Sequence, residues 1–189
     1  MAEAQKSTQL ATYADYAGWP EDEHWELIEG VAYAMSAPER IHQLVSFEVG
    51  FQIRRFLDQR CAIYAAPFDV RLPEKDEVDD DVITVVQPDI SIICDRDKLD
   101  RKGCRGAPDW VIEILSPSTA LRDMDAKRWL YERHGVKEYW IIHPTDRWLM
   151  VYTLDDQGQY GHPQMVGLDE PTVSELFEGL VIDWGFLGI

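Results

Sequence analysis

The chain reads as an α/β domain of the α+β kind, a mixed β-sheet flanked by helices and preceded by an N-terminal hairpin. Three observations lead there. Two runs rich in Ile and Val, "QPDISII" (Gln87 to Ile93) and "DWVIEILSPS" (Asp109 to Ser118), have the composition of central strands. Apolar residues recur at three- and four-residue spacing over Pro38 to Asp58 and again over the stretch ending at Gly135, the period of helices. Finally, 189 residues that are 46% apolar and 28% charged supply one well-packed core but not two. A single domain over residues 1–189 is therefore expected, with its core from about residue 25 to 154.

The elements follow in order. A short helix is expected around Thr12 to Ala17. In "WELIEGVAYAM", Glu29-Gly30 stands between two β-prone runs, which marks a hairpin. Ile41, Leu44, Val45, Val49, Ile53, Phe56 and Leu57 then form the apolar stripe of a long amphipathic helix. Strands are expected near Ala62 to Tyr64 and Phe68 to Leu72, and the acidic run Glu74 to Asp81, "EKDEVDDD", as an exposed loop. After the strand Trp110 to Leu115, Ser116 is placed as an N-cap with Pro117 at the first helical position, and helical patterning runs to a left-handed stop at Gly135. "EYWIIHP" and "RWLMVYTL" add strands in hairpin succession, and a last short helix is expected near Val173 to Phe177.

Charge and cysteine usage exclude several classes. Eighteen basic against 35 acidic residues give a net charge of −17, which repels polyanions at long range and counts against tight nucleic-acid binding. Cys61, Cys94 and Cys104 are odd in number and contain no C-x-x-C pair, so neither a disulfide framework nor a zinc ribbon is expected. The opening "MAEAQKSTQLATYADYAG" has no basic and apolar leader pattern, and no stretch has the roughly 20 apolar residues of a membrane helix. A cytoplasmic protein with no membrane contact is the expectation.

The central strands carry acids in awkward places. Alternation puts Asp89, Ser91 and Ile93 on one face of the first and Val111, Glu113 and Leu115 on one face of the second. A buried carboxylate without a partner is costly enough to shift its pKa, find a cation or bind a metal. The following helix offers the cation: Asp123, Lys127, Leu130, Tyr131 and His134 share one stripe whose apolar half must face the core, while Arg128 and Arg133 lie further round. Two carboxylates and a lysine at a sheet edge are the minimal apparatus for metal-assisted phosphodiester hydrolysis. Hard oxygen ligands suit Mg²⁺, which acidifies bound water, and a lysine beside it stabilises developing negative charge. A buried ion pair of Glu113 with Lys127 or Arg122 accounts for the same residue types equally well.

These residues are also familiar as a set. "QPDISII", "GAPDWVIEILSPST" and "RDMDAKRWLYERHGVKEYWIIHP" resemble the PD-(D/E)XK, restriction-endonuclease-like superfamily, and within it the bacterial Uma-type restriction endonucleases. "WELIEGVAYAMS", "HQLV" and "FDVRLP" extend the resemblance over about Trp25 to Leu154. It implies a restriction-endonuclease-like mixed sheet, an Mg²⁺-dependent (or Mn²⁺-dependent) endonuclease acting on DNA, and Asp89 and Glu113 as metal ligands. The superfamily's usual lysine two residues after the second acid is absent, since position 115 is Leu; its place is taken by Lys127, the lysine already found on the inward stripe.

The resemblance also implies a catalytic part for Glu26, as an outer metal ligand, and for His42, as a phosphate or water contact; hairpin and helix-start structural roles are the plainer alternatives. Asp69 and Arg71 fit the family and equally fit a cross-strand ion pair. Asp123 is placed to orient Lys127, with helix N-terminal charge complementarity as the alternative. The glycines of "RKGCRGAPD" are expected to serve turns, with a phosphate cradle as the alternative, and Arg101, Lys102 and Arg105 beside them are the densest basic cluster, past which DNA would approach. "DEVDDD" lacks the ligand series and glycine of an EF-hand. A homodimer is expected by analogy and from the prevalence of two-fold assemblies. Two other activities stay open: a nuclease-fold binding module that cuts nothing, which the charge favours, and a metal-dependent phosphohydrolase of smaller substrates.

Overall fold

The computed structural model describes residues 10–20, 22–116 and 122–188. The chain begins with α1 (Tyr13–Tyr16), the strands β1 (Trp25–Ile28) and β2 (Val31–Ala34), and α2 (Arg40–Leu57). Seven strands follow: β3 (Ala62–Ala65), β4 (Val70–Arg71), β5 (Val85–Val86), β6 (Ile90–Ile93), β7 (Leu99–Asp100), β8 (Gly103–Arg105) and β9 (Trp110–Ile114). A π-helical turn, Arg122–Lys127, runs into α3 (Arg128–His134). The remainder is β10 (Glu138–His143), β11 (Trp148–Thr153), β12 (Gln164–Gly167), β13 (Thr172–Val173) and β14 (Val181–Ile182).

The strands form two six-stranded sheets and a small hairpin of β13 and β14. Sheet A has the order β2-β1-β5-β4-β8-β7, and sheet B the order β12-β11-β10-β9-β6-β3. Each is antiparallel except for one parallel pair, β4 with β8 in sheet A and β9 with β10 in sheet B. Mixed pairing with flanking helices agrees with the sequence, but one expected sheet is two. The reason is that β4, β5, β7 and β8 are two or three residues long, too short to show a period of two.

Local chemistry accounts for the elements that matter most. Glu29 and Gly30 have φ of 50° and 77°, the pair of left-handed residues a two-residue hairpin requires, and Gly30 also lacks room for a Cβ against Leu10. Along α2, Val45, Val49, Ile53 and Leu57 are fully buried, so the expected stripe is the face that packs. Gly135 ends α3 at φ 83° as the left-handed stop expected there.

Packing is layered. α2 lies on one face of sheet B, where Val45, Val49 and Ile53 meet Ile90, Ile92, Ile112 and Ile114. Trp110 and Trp140 anchor this core, wholly buried with ring centroids 4.8 Å apart; truncating such a ring costs about 3–5 kcal/mol. The opposite face of sheet B meets sheet A and α3 through Ile93, Val111, Val70, Val86, Leu130 and Tyr131. A third cluster, Tyr13, Leu27, Val82 and Val85, seats α1 on the far side of sheet A.

Several expectations are corrected. Val173 to Phe177 is no helix: β13 ends at Val173 and the following turn wraps the buried Glu138 carboxylate, which accepts from Ser174 Oγ at 2.9 Å and Leu176 N at 2.7 Å. The acidic run is only partly an exposed loop, because Asp79 turns inward to Arg71 at 2.7 Å. Arg71, fully buried, pairs with Asp79 and with Asp100 at 2.7 Å, not with Asp69. Cys61 and Cys94 form a disulfide where none was expected: Ala62 pairs with Ile93, so continuing that antiparallel register by one residue sets the two cysteines opposite each other. Cys104 is free and buried. Pro117, as the first helical residue, lies outside the described residues.

Candidate active site

The β6 and β9 ladder runs Ile92 with Trp110, Ser91 with Val111 and Ile90 with Ile112. One further step along that register sets Asp89 opposite Glu113, where the strands part. Asp89 stays attached to β9 by its side chain: Oδ2 accepts from the Ile114 amide at 2.7 Å. The same oxygen lies 3.0 Å from His42 Nε2, brought in by the first turns of α2. Among the described residues Asp89 Oδ1 has no hydrogen-bond donor.

Glu113 is built into a denser cluster. Its Oε1 accepts from Lys127 Nζ at 2.9 Å and from the Tyr131 hydroxyl at 2.8 Å. Lys127 Nζ also lies 2.7 Å from Glu26 Oε1 and 3.4 Å from Asp123 Oδ1. Glu26 is fixed from the other side by the Gln87 amide, which donates to Oε1 at 2.9 Å. The helix carrying Lys127 is held to the sheet by the Tyr139 hydroxyl, which donates to the Asp123 carbonyl at 2.9 Å. All four charged side chains are buried.

The five residues singled out in the sequence thus come together. Asp89, Glu113, Lys127, Glu26 and His42, with Asp123, line one cavity of about 550 Å³ that opens between the start of α2, the Ala66-Pro67 turn and the end of β9. Lys127 does arrive from the helix rather than from position 115, and Leu115 is instead buried against the core between the sheets. Tyr131 was visible only as an apolar stripe residue, yet its hydroxyl is a direct partner of Glu113; its spacing of four from Lys127 was the signal. Gln87 and Tyr139 act through groups that no local pattern marks.

The electrostatics are unbalanced. Three carboxylates meet one ammonium, an excess of two negative charges when all are ionised (3 − 1 = 2). Burial, reinforced by Asp123, Asp89 and Glu26, pushes the Glu113 carboxyl well above its usual range against the pull of Lys127. Burial opposes the Lys127 charge, but Glu113, Glu26 and Asp123 outweigh it and raise that group. Burial likewise works against a charged His42, and the hydrogen bond and charge of Asp89 more than offset it, so its pKa is raised.

The donor set fits a hard divalent cation. Both recorded partners of Glu113 sit on Oε1, which leaves Oε2, as it leaves Asp89 Oδ1, without a donor among the described residues. Among those residues no three His, Cys, Asp or Glu side chains form a ready-made cage. An ion there would rest on two carboxylates and solvent, the manner in which Mg²⁺ is commonly held. In the basic loop, Lys102 lies 3.0 Å and Arg105 3.5 Å from the same Asp79, while Arg101 is exposed.

No helix among the described residues is long and apolar enough to cross a membrane. A family model described as "Uma2: Putative restriction endonuclease" matches residues 12–185. An uncharacterized protein of Synechocystis is 28% identical over 152 residues, 77% of this chain and 75% of that protein. The crystal structure of "a putative nuclease belonging to DUF820" from Anabaena variabilis shares the fold, with a TM-score of 0.73 and 20% identity over 93% of this chain and 96% of that one. With the family model covering both sheets and every residue of the acid and lysine cluster, the chain belongs to the Uma2 family of restriction-endonuclease-like proteins.

Proposed function

We propose that the protein is a metal-dependent endonuclease that hydrolyses DNA phosphodiester bonds, with Asp89 and Glu113 holding Mg²⁺ or Mn²⁺. The observation that carries the reading is the gathering of three buried carboxyl groups on the single ammonium of Lys127 at the floor of an open cavity. A stability-driven core would not retain it, since breaking even on one buried ion pair is difficult. When bound, the ion supplies a polarised phosphoryl oxygen and an acidified water. The chain does the rest. Asp89, pinned by Ile114 N and His42, and Glu113, pinned by Lys127 and Tyr131, are fixed in advance with one oxygen each to offer. Lys127, whose charge its three acids favour, and His42, whose charged form the Asp89 carboxylate favours against burial, stand where an anionic substrate and its transition state would lie. Glu26 orients Lys127 through Nζ.

One observation favours a second reading, a phosphohydrolase of smaller substrates. In a chain of net charge −17, Arg71, Lys102 and Arg105 are all engaged by Asp79, which leaves little basic surface for a long polyanion. The test is cleavage of plasmid, single-stranded DNA, RNA and a small phosphodiester with Mg²⁺ or Mn²⁺. Wild-type cleavage that falls roughly a hundred-fold or more in Glu113→Ala and Lys127→Ala supports the assignment. Inactive wild type, or variants that keep activity, would overturn it, and activity on the small ester alone would select the second reading.

A further inference from the structure

A second cavity, of about 360 Å³, adjoins the first and is not used by the acid and lysine cluster. Pro67 and Gln87 line both, so the two spaces share a wall. Its size falls within the range of small-ligand sites. On one side stand Tyr64 and Phe68, whose rings are stacked face to face with centroids 4.1 Å apart and planes only 3° from parallel. Tyr64 is 37% exposed on β3, the edge strand of sheet B. A flat, pre-stacked and accessible aromatic pair is a surface to which another planar ring adds at little entropic cost.

The rest of the lining is polar in a specific way. Asp69 Oδ1 accepts from the Tyr16 hydroxyl at 2.8 Å and from Gln87 Nε2 at 2.8 Å, and no donor among the described residues occupies Oδ2. The lining also includes Arg101, which is exposed and has no carboxylate within ion-pair distance among the described residues. That sets it apart from its neighbour Lys102, which is tied to Asp79 at 3.0 Å. The cavity therefore offers a stacking surface, a hydrogen-bond acceptor and one uncommitted cation.

From this combination we propose that the second cavity receives the base of an unpaired nucleotide next to the bond under attack, stacked on the Tyr64–Phe68 pair, with Arg101 on an adjoining phosphate. The inference rests on the nuclease reading for the position of the bond, and it adds the substrate class: single-stranded or locally melted nucleic acid. Stacking is the form of recognition an acidic protein can use, because it draws on the π-face of the base and not on a row of phosphate contacts. Duplex DNA presents no free base face, and Asp79 already engages Lys102 and Arg105 of the basic loop, leaving Arg101 alone there for phosphate contact.

The experiment measures binding without turnover. Fluorescently labelled single-stranded and duplex oligonucleotides of one sequence are titrated with the full chain in EDTA at about 0.15 M salt. The expected result is tighter binding of the single strand, weakened roughly ten-fold by Tyr64→Leu or Phe68→Leu. Arg101→Ala should lower the slope of log affinity against log salt by about 0.7. Tyr64 and Arg101 are exposed, so their variants carry the test even if Phe68→Leu does not fold. Equal or tighter binding of the duplex, or ring variants that bind as wild type does, would overturn the proposal. The two readings fail separately. Single-strand preference lost in Tyr64→Leu, in a protein that cuts nothing, keeps this site and removes the nuclease; cleavage and binding indifferent to Tyr64→Leu and Arg101→Ala keep the nuclease and remove this site.

Discussion

Lys127 Nζ lies 2.7 Å from Glu26 Oε1, and each side chain is at most 3% exposed. A lysine on a helix and a glutamate on the N-terminal hairpin are thus joined in the interior, with two further acids on the same ammonium. Removing the cation leaves buried carboxylates uncompensated, whereas removing one acid relieves a surplus. Lys127→Met is expected to cost about 3–5 kcal/mol in urea unfolding at pH 7. Glu26→Gln keeps an acceptor for the Gln87 amide and is expected to cost much less. Equal losses in the two variants would contradict this charge balance.

A divalent ion bound at the proposed Asp89 and Glu113 site would stabilise the folded state by mass action. Mg²⁺ at a hundred times its dissociation constant adds about 2.7 kcal/mol, so the melting temperature should rise with added Mg²⁺ and return to baseline in EDTA. Asp89→Asn, which preserves shape and can still accept from Ile114 N, should lose most of that response. A variant that shifts as wild type does takes Asp89 out of the metal site.

Asp109 tests the scaffold beneath the site. Its Oδ2 accepts from Cys94 N at 2.8 Å, and its Oδ1 meets Lys137 at 2.7 Å, so it binds the end of β6 and the start of β10 to β9, the strand that carries Glu113. Burial raises its pKa, but the hydrogen bonds from Lys137 and Cys94 outweigh burial and leave it lowered. A lowered carboxylate stabilises fully above its unfolded value, near 3.9, and loses that contribution as pH falls towards the folded value. The stability difference between wild type and Asp109→Asn should therefore be constant above about pH 5 and shrink below about pH 4. A difference that grows on acidification would reverse the sign.

The disulfide between Cys61 and Cys94 gives a simple count. Of three cysteines, the denatured, unreduced chain should present one titratable thiol, from Cys104, and all three after reduction. Three thiols before reduction would exclude the bond in the purified protein.

Much of the site was legible because its residues break a local rule. Asp89 and Glu113 are charged where strand composition calls for Val or Ile, and Lys127 interrupts an apolar stripe; each anomaly asks for a partner, and Lys127 and Glu113 answer each other while Asp89 is met by His42 and the Ile114 amide. The sheet division was not legible, because strands as short as β5 and β8 carry no periodicity and are fixed by their neighbours. The Val173 to Phe177 segment looked helical because its apolar spacing suits a helix; the buried Glu138 carboxylate captures its amides instead. The cysteine pairing depended on the register of β3 with β6, which a count of cysteines does not contain.

The segment from Val85 to Ile93 belongs to both sheets, β5 in sheet A and β6 in sheet B, and Asp89 sits where it crosses over. Glu26 comes from sheet A and Glu113 from sheet B, with Lys127 between them. The charge cluster is thus a rivet through two plates. Heat or denaturant that parts the plates by an ångström or two breaks the rivet while each sheet still keeps its own hydrogen bonds, so function should fade on warming before the far-ultraviolet signature of the strands does.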